Sequence, residues 1–463
     1  MKNKIDLATG DVGWQILALT FPMIFGIFAI VIFNFTDSFF VARLGTRELA
    51  ALSFTFPVVM IVGGVAMGLG TATASVVSRA IGEGDYKQVK KLTTHALVIS
   101  FLVVLLFVGI GISTIEPLFT FLGAGGDILG LIRKYMYIWY VGMIFLVVPM
   151  VGNNALRAAG DMLYPSFIMI TAAVINICLD PILIFGWFGL PKLGITGAAL
   201  ATVIARAISL ILSLGALHFR RNMLEFYYPG FKSIAGSAKK IFYIAVPSAL
   251  TNMAIPFSAA IITRLVAKFG LVAVAAMGTA SRAGAFSLML IIALSTAFIP
   301  FVGQNWGAKN FQRVFTAIKY SNRFCLWWGI ITMIFFAVSG MQLAVLFNRD
   351  SKFITYFLAY LWIVPLGYGF RGCCLLTIAL FNAVNKPLLS SALSMFWIFG
   401  LYIPLAYAGG RIYGLKGIYA GMSTASIIAG ISALYLSRNF LSKFTDLETT
   451  PLISSLPEST ISI

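Results

Sequence analysis

Two carboxylates stand where carboxylates are costly. Asp37 lies in the apolar stretch 29–41, Ala-Ile-Val-Ile-Phe-Asn-Phe-Thr-Asp-Ser-Phe-Phe-Val, with no basic residue nearer than Arg43. Asp180 lies in Asn-Ile-Cys-Leu-Asp-Pro, residues 176–181. Ionisable groups inside a membrane are rare, face a cavity or a partner, and mark ion or proton routes. Each acid has an amide on its own helix face: Asn34 three residues before Asp37, and Asn176 four before Asp180. Carboxyl and amide oxygens together hold a proton or a Na⁺, so the chemistry suggested is reversible cation binding. Two plainer readings stay open. Asp37 sits near enough to Arg43 and Arg47 to be salt-bridged at an interface, and all four groups suit a buried structural network.

The elements that must position these groups are membrane spans. The chain has 463 residues, 60% hydrophobic and only 10% charged, against roughly 25% charged in soluble proteins. About twelve apolar runs appear, near 14–41, 49–80, 92–115, 132–156, 163–187, 195–218, 239–266, 271–303, 315–347, 353–382, 387–409 and 414–437. The predicted fold class is therefore an all-α polytopic membrane protein with two six-helix bundles. The net charge of +18 then concerns topology, not nucleic acid. With the amino terminus inside, 19 lysines and arginines fall on the inner side and 10 on the outer, so both termini are expected to be cytoplasmic. The expected organisation is a first bundle over 1–218, a cytoplasmic linker over 219–238, a second bundle over 239–438 and a disordered tail over 439–463.

What is missing also bounds the function. The four cysteines show no metal-ligand spacing, and His95 and His218 have no second ligand, so no metal site is expected. No phosphate-binding P-loop is present, and no cluster of His, Asp or Ser at a membrane face suggests a lipid-modifying enzyme. No cofactor is expected.

The halves are related. A shift of 225 residues lays Pro22 on Pro247, Val-Ala-Arg-Leu-Gly at 41–45 on Val-Ala-Lys-Phe-Gly at 266–270, and Gly82 on Gly307. A slightly smaller shift lays Gly-Ile-Thr-Gly at 194–197 on Gly-Leu-Lys-Gly at 414–417. Parallel repeats of this kind build transporters with a cleft between the bundles. Against that alignment Asp37 falls on Ile262, and Asp180 falls on Ile403 when Pro181 is laid on Pro404. Both acids belong to the first half alone.

These motifs resemble the multidrug and toxic compound extrusion family, within the multidrug/oligosaccharidyl-lipid/polysaccharide exporter superfamily. The match rests on Asp-Ser-Phe-Phe-Val-Ala-Arg-Leu-Gly at 37–45, Val-Ser-Arg-Ala-Ile-Gly-Glu-Gly-Asp at 77–85 and Val-Gly-Gln-Asn-Trp-Gly-Ala-Lys-Asn at 302–310. Asn-Ala-Leu-Arg-Ala-Ala-Gly at 154–160 and the glycine turn at 194–202 extend it, and it runs to about Arg438. In the family's DinF-like branch the resemblance implies cation coupling by Asp37, Asn176 and Asp180, joined by Thr202, with Pro22 as a bending point in the first span. Asn34 belongs beside that coupling group. Tyr140, Asn153 and Asn154 are further candidates for the substrate cleft or hinge. The seventh and tenth spans hold no acid, which argues against the branch that couples there.

The expected function is a cation-coupled antiporter, H⁺ before Na⁺, exporting amphipathic and often cationic small molecules by alternating access. The runner-up is a lipid-linked oligosaccharide flippase of the same superfamily. For that role only Arg206, Arg264, Arg282 and Arg371 offer basic groups within spans, and each reads more readily as a structural residue. The expected setting is a bacterial inner membrane, the expected partners are the bilayer and the substrate with no nucleic acid, and the expected state is a monomer.

Overall fold

In hydrocarbon a segment must satisfy its own backbone polar groups, which an α-helix does alone. The computed structural model describes residues 7–225 and 230–449, and among these the regular structure is helical. Among the described residues eleven helices are long and apolar enough to cross a membrane. They are α1 (Val12–Ala42), α2 (Thr46–Gly82), α3 (Tyr86–Phe121), α4 (Gly126–Ala158), α5 (Leu163–Phe185) and α6 (Ile195–Arg220). After the break come α7 (Phe231–Ala267), α8 (Leu271–Gly307), α9 (Phe311–Phe347), α10 (Ser351–Ala383) and a last run, Pro387–Phe444. Non-helical backbone at Tyr413 and Gly414 divides that run into α11, over 387–412, and α12, which starts at 415 and continues to Thr449. Twelve spans result, as hydropathy predicts.

Two boundaries differ from expectation. Helix α7 begins at Phe231, so part of the polar stretch 219–238 is helical, and residues 226–229 of it lie outside the described residues. Helix α12 runs past Asn439 to Thr449, because Phe440 and Phe444 pack on Trp306 with ring centroids 5.9 and 4.9 Å away. The disorder expected from Asn439 does not begin there, and residues 450–463 lie outside the described residues.

The repeat is visible in the backbone. Left-handed residues recur 225 apart, as Gly84 (φ 77°) and Lys309 (φ 61°), and as Gly160 (φ 80°) and Asn385 (φ 63°). The glycines aligned on the smaller shift match as well, Gly194 at φ 58° and Gly414 at φ 61°. A side chain is strained in that region, which explains glycine at both.

One end of the molecule is sealed between the halves. There Ser75 Oγ donates to the Asn382 carbonyl at 2.6 Å, Gln304 Nε2 to the Ala158 carbonyl at 2.7 Å, and Asn305 Nδ2 to the Leu7 carbonyl at 3.0 Å. Small residues let the backbones meet, as at membrane helix interfaces generally. A Cβ at Gly82 would stand 2.0 Å from the Gln304 carbonyl oxygen, and one at Gly307 would stand 2.3 Å from that of Arg79. The halves also exchange helix ends. Val12, Ile16, Leu19 and Met23 at the start of α1 join the core of the carboxyl half, while Ile241, Ile244 and Ala245 at the start of α7 join that of the amino half. Beyond Met23, α1 changes partners: Gly26 packs on Ser166, and Ala29 and Phe33 on Ala173 and Ala205. Pro22 sits at this changeover, inside a helix that stays continuous.

A buried ion pair holds the amino half at the same end. The Asp161 carboxylate accepts from Arg221 Nη2 at 2.7 Å and from Arg220 Nε at 3.2 Å, and its other oxygen accepts from the Tyr164 N–H. Asp161 and Arg221 side chains are 3% and 5% exposed, whereas Arg220 is 53% exposed. Removing one partner of a buried pair costs about 3–5 kcal/mol, and an exposed pair is worth less than about 1. Thermal melting in detergent is therefore expected to show a large loss for Asp161→Ala and a small one for Arg220→Ala. Equal losses would place the stabilisation elsewhere.

Candidate functional site

The second part of α1 delivers Asp37 into the amino half, between α2, α4 and α6. A cavity of about 300 Å³ opens there, lined by Asn34, Asp37 and Ser38 of α1, Thr55 of α2, Tyr135 and Trp139 of α4, and Thr202 and Arg206 of α6. Apolar side chains complete it, among them Phe33, Phe56, Met60 and Met143. The mix of a few converging polar groups with aromatic and sulfur side chains is that of a small-molecule site.

Behind the cavity stand Asn176 and Asp180 of α5, both fully buried. One helical turn apart, they bond to each other: Asn176 Nδ2 donates to Asp180 Oδ1 at 3.1 Å. That leaves three oxygens, Asp37 Oδ1, Asn176 Oδ1 and Asp180 Oδ2, buried and without a hydrogen-bond partner. Tyr135 is close enough to interact electrostatically with both carboxylates, and the carboxylates with each other. Orphaned buried acceptors are rare because each costs about 1–3 kcal/mol, so three together suit a bound cation.

The candidates fall into two groups. Asn34, Asp37 and Thr202 line the cavity, and Asn176 and Asp180 support it from behind. Tyr140 is not among the lining residues. It is buried with its ring filling the space at Gly111 of α3, and its neighbour Trp139 faces the cavity instead. Asn153 and Asn154 are also away from it, in the packing of α4. Asn154 Nδ2 donates to the Met150 carbonyl at 2.9 Å and lies against Gly70 of α2. Asn153 is 8% exposed, and its Oδ1 is buried with no partner.

Tyr135 and Arg206 are the residues that reasoning from sequence passed over or set aside. The guanidinium of Arg206 lies 4.8 Å over the Phe33 ring, and its Nε is buried with no hydrogen-bond partner. The only signal for Tyr135 was its match, 225 residues on, to Tyr360.

A duplicated helical bundle with an ionisable site sunk in one half defines a multi-pass membrane transporter. The chain belongs to the MatE family, whose family model matches residues 22–182 and 247–408. It is 36% identical over 438 residues to the FAD transporter of Shewanella oneidensis, covering 95% of this chain and 97% of that protein. It is 24% identical to the multidrug export protein MepA of Staphylococcus aureus, covering 91% and 93%. Among solved structures it matches the Vibrio cholerae MATE transporter VcmN in the bent form, with TM-score 0.89 and 30% identity over 94% of this chain and 98% of that one. Members of this family are ion-coupled transporters and not enzymes.

Proposed function

We propose that this protein is an antiporter that admits H⁺, in preference to Na⁺, and exports amphipathic, often cationic small molecules. The observation that carries the reading is the trio of unpartnered oxygens on Asp37, Asn176 and Asp180 beside a cavity with aromatic walls. Two neighbouring carboxylates need a positive charge, and a proton needs no further ligands. Sodium would want several oxygens around it at once, drawn from Asn34, Ser38, Thr55, Tyr135, Thr202 and water. Binding of the cation and of the substrate compete because both draw on one cavity, and their differential affinity for two conformations is the only energy source required. Pro22, where α1 changes partners, is the bending point in this scheme. Both termini are taken as cytoplasmic, which makes the sealed end the inner one. The test is transport by purified protein in proteoliposomes under an imposed pH gradient or an imposed Na⁺ gradient, each alone. Export with the pH gradient only is expected; export with the Na⁺ gradient only would reverse the ion assignment.

A second reading names the substrate as flavin adenine dinucleotide. It is favoured by the 36% identity to a FAD transporter across nearly the full length of both chains, against 22–25% for the multidrug relatives. Export of FAD without export of cationic dyes in the same vesicles would decide for it.

A further inference from the structure

The carboxyl half holds a charge of its own, Arg371. Helices α4 and α10 are both 33 residues long and start 225 residues apart, so their positions correspond one to one. On that register Tyr135, Met143 and Leu146, which all line the amino-half cavity, become Tyr360, Tyr368 and Arg371. Where the amino half brings Asp37 and Asp180, the carboxyl half has Ile262 and Ile403. At the same place in the fold the amino half thus carries two acids beside Arg206, and the carboxyl half a base in their stead.

Among the described residues no acid pairs with Arg371. Between residues 231 and 444 the sequence contains one acid, Asp350, whose carboxylate is engaged by the Phe353 N–H at the start of α10. That is 21 residues before Arg371, about 30 Å along a helix. The guanidinium lies 5.3 Å over the Trp397 ring and near enough to Tyr360, Tyr368 and Tyr402 for electrostatic interaction. Three donors in this cluster, Arg371 Nε, Trp397 Nε1 and the Tyr419 hydroxyl, are buried with no hydrogen-bond partner. Tyr419 packs edge-on against Tyr360, with centroids 5.2 Å apart. Orphan donors around an arginine mirror the orphan acceptors around the two acids. Such donors gain from an anion, and a phosphate accepts from several at once.

We propose that Arg371, with Tyr360, Tyr368, Trp397 and Tyr419, forms a binding site in the carboxyl half for the phosphate of a transported aromatic compound. The assignment rests on the export reading only for naming the transported compound as the carrier of the phosphate. An acidic lipid headgroup presents the same chemistry, and the test separates the two.

The full chain in phosphatidylcholine nanodiscs is titrated with riboflavin and with flavin mononucleotide, which differ by one phosphate, and binding is read by flavin fluorescence. The phosphate is expected to tighten binding at least tenfold. Arg371→Gln is expected to remove that preference while riboflavin still binds, which also shows that the variant is folded. Arg371→Lys is expected to keep part of it. Failure of the mononucleotide to bind, equal binding of the two flavins by the parent chain, or a preference that survives Arg371→Gln would each overturn the proposal. In discs containing phosphatidylglycerol an unchanged preference supports a soluble phosphate. Loss of the preference there would hand the site to the headgroup and overturn the substrate assignment. No gradient is used, so a failed coupling reading does not affect the outcome.

Discussion

Asp37→Asn is expected to fold and insert as the parent does, to bind substrate, and to lose gradient-driven export. The amide has nearly the carboxylate's shape, so packing against α5 is preserved. What it cannot do is exchange a proton or hold a cation by charge. Coupling energies between two sites typically run about 1–3 kcal/mol, so accumulation against a gradient is expected to fall about 5–150-fold. Asp180→Asn should be similarly impaired, since its Oδ2 is one of the three unpartnered oxygens. Ile262→Val and Ile403→Val, at the corresponding carboxyl-half positions, should change little. Pro22→Ala should keep substrate binding while export falls, because the bend and not the site is removed. The measurement is export into or out of proteoliposomes, normalised to protein reconstituted, with equilibrium binding on the same samples. A well-expressed Asp37→Asn protein exporting normally would sink the coupling role and leave Asp37 as a structural residue.

The second large effect concerns the seal. Gly82→Val is expected to force the sealed end open and stop transport, because α2 and α8 meet there backbone to backbone. The added Cβ has 2.0 Å to the Gln304 carbonyl oxygen and 2.8 Å to its carbon, and a main-chain group cannot rotate aside as a side chain would. Overpacking costs about 1–3 kcal/mol or more, comparable to the few kcal/mol that separate transporter conformations. The equilibrium therefore shifts by roughly tenfold or more toward the state in which this end is apart. Spin labels at Lys87 and Lys309, both exposed at that end, should report a longer distance in Gly82→Val and Gly307→Val. Gly63→Ala is the control: nothing lies within 4 Å of its Cβ, and neither distance nor transport should change. Unchanged distances in Gly82→Val would mean that the seal tolerates the strain and is not the moving contact.

Much of the candidate site was legible because a carboxylate in an apolar run is conspicuous, and because spacings of three and four residues place Asn34 with Asp37 and Asn176 with Asp180 on one face whatever the helix packs against. The repeat was legible for a related reason. Gly194 and Gly414 hold backbone conformations that other residues resist, so the same turn demands the same residue twice.

Which way each span faces was not legible, since core and lipid are equally apolar and a membrane helix carries little amphipathic signal. Trp139 and Tyr140 show the consequence: adjacent aromatic residues, of which one lines the cavity and the other fills the space at Gly111. The same ambiguity hid Tyr135 and left Arg206 and Arg371 looking structural. The sequence by itself determined the number of spans, the twofold repeat and the confinement of the acids to one half, because charge, length and glycine geometry are properties of residues and their spacing. Only the tertiary structure decided that the starts of α1 and α7 cross over to the opposite half, that one end is sealed through glycines, and that unpartnered acceptors stand around Asp37 and Asp180 and unpartnered donors around Arg371. Those are properties of pairs of side chains brought together from distant spans, and helix packing in a bilayer depends on close contacts that composition does not encode.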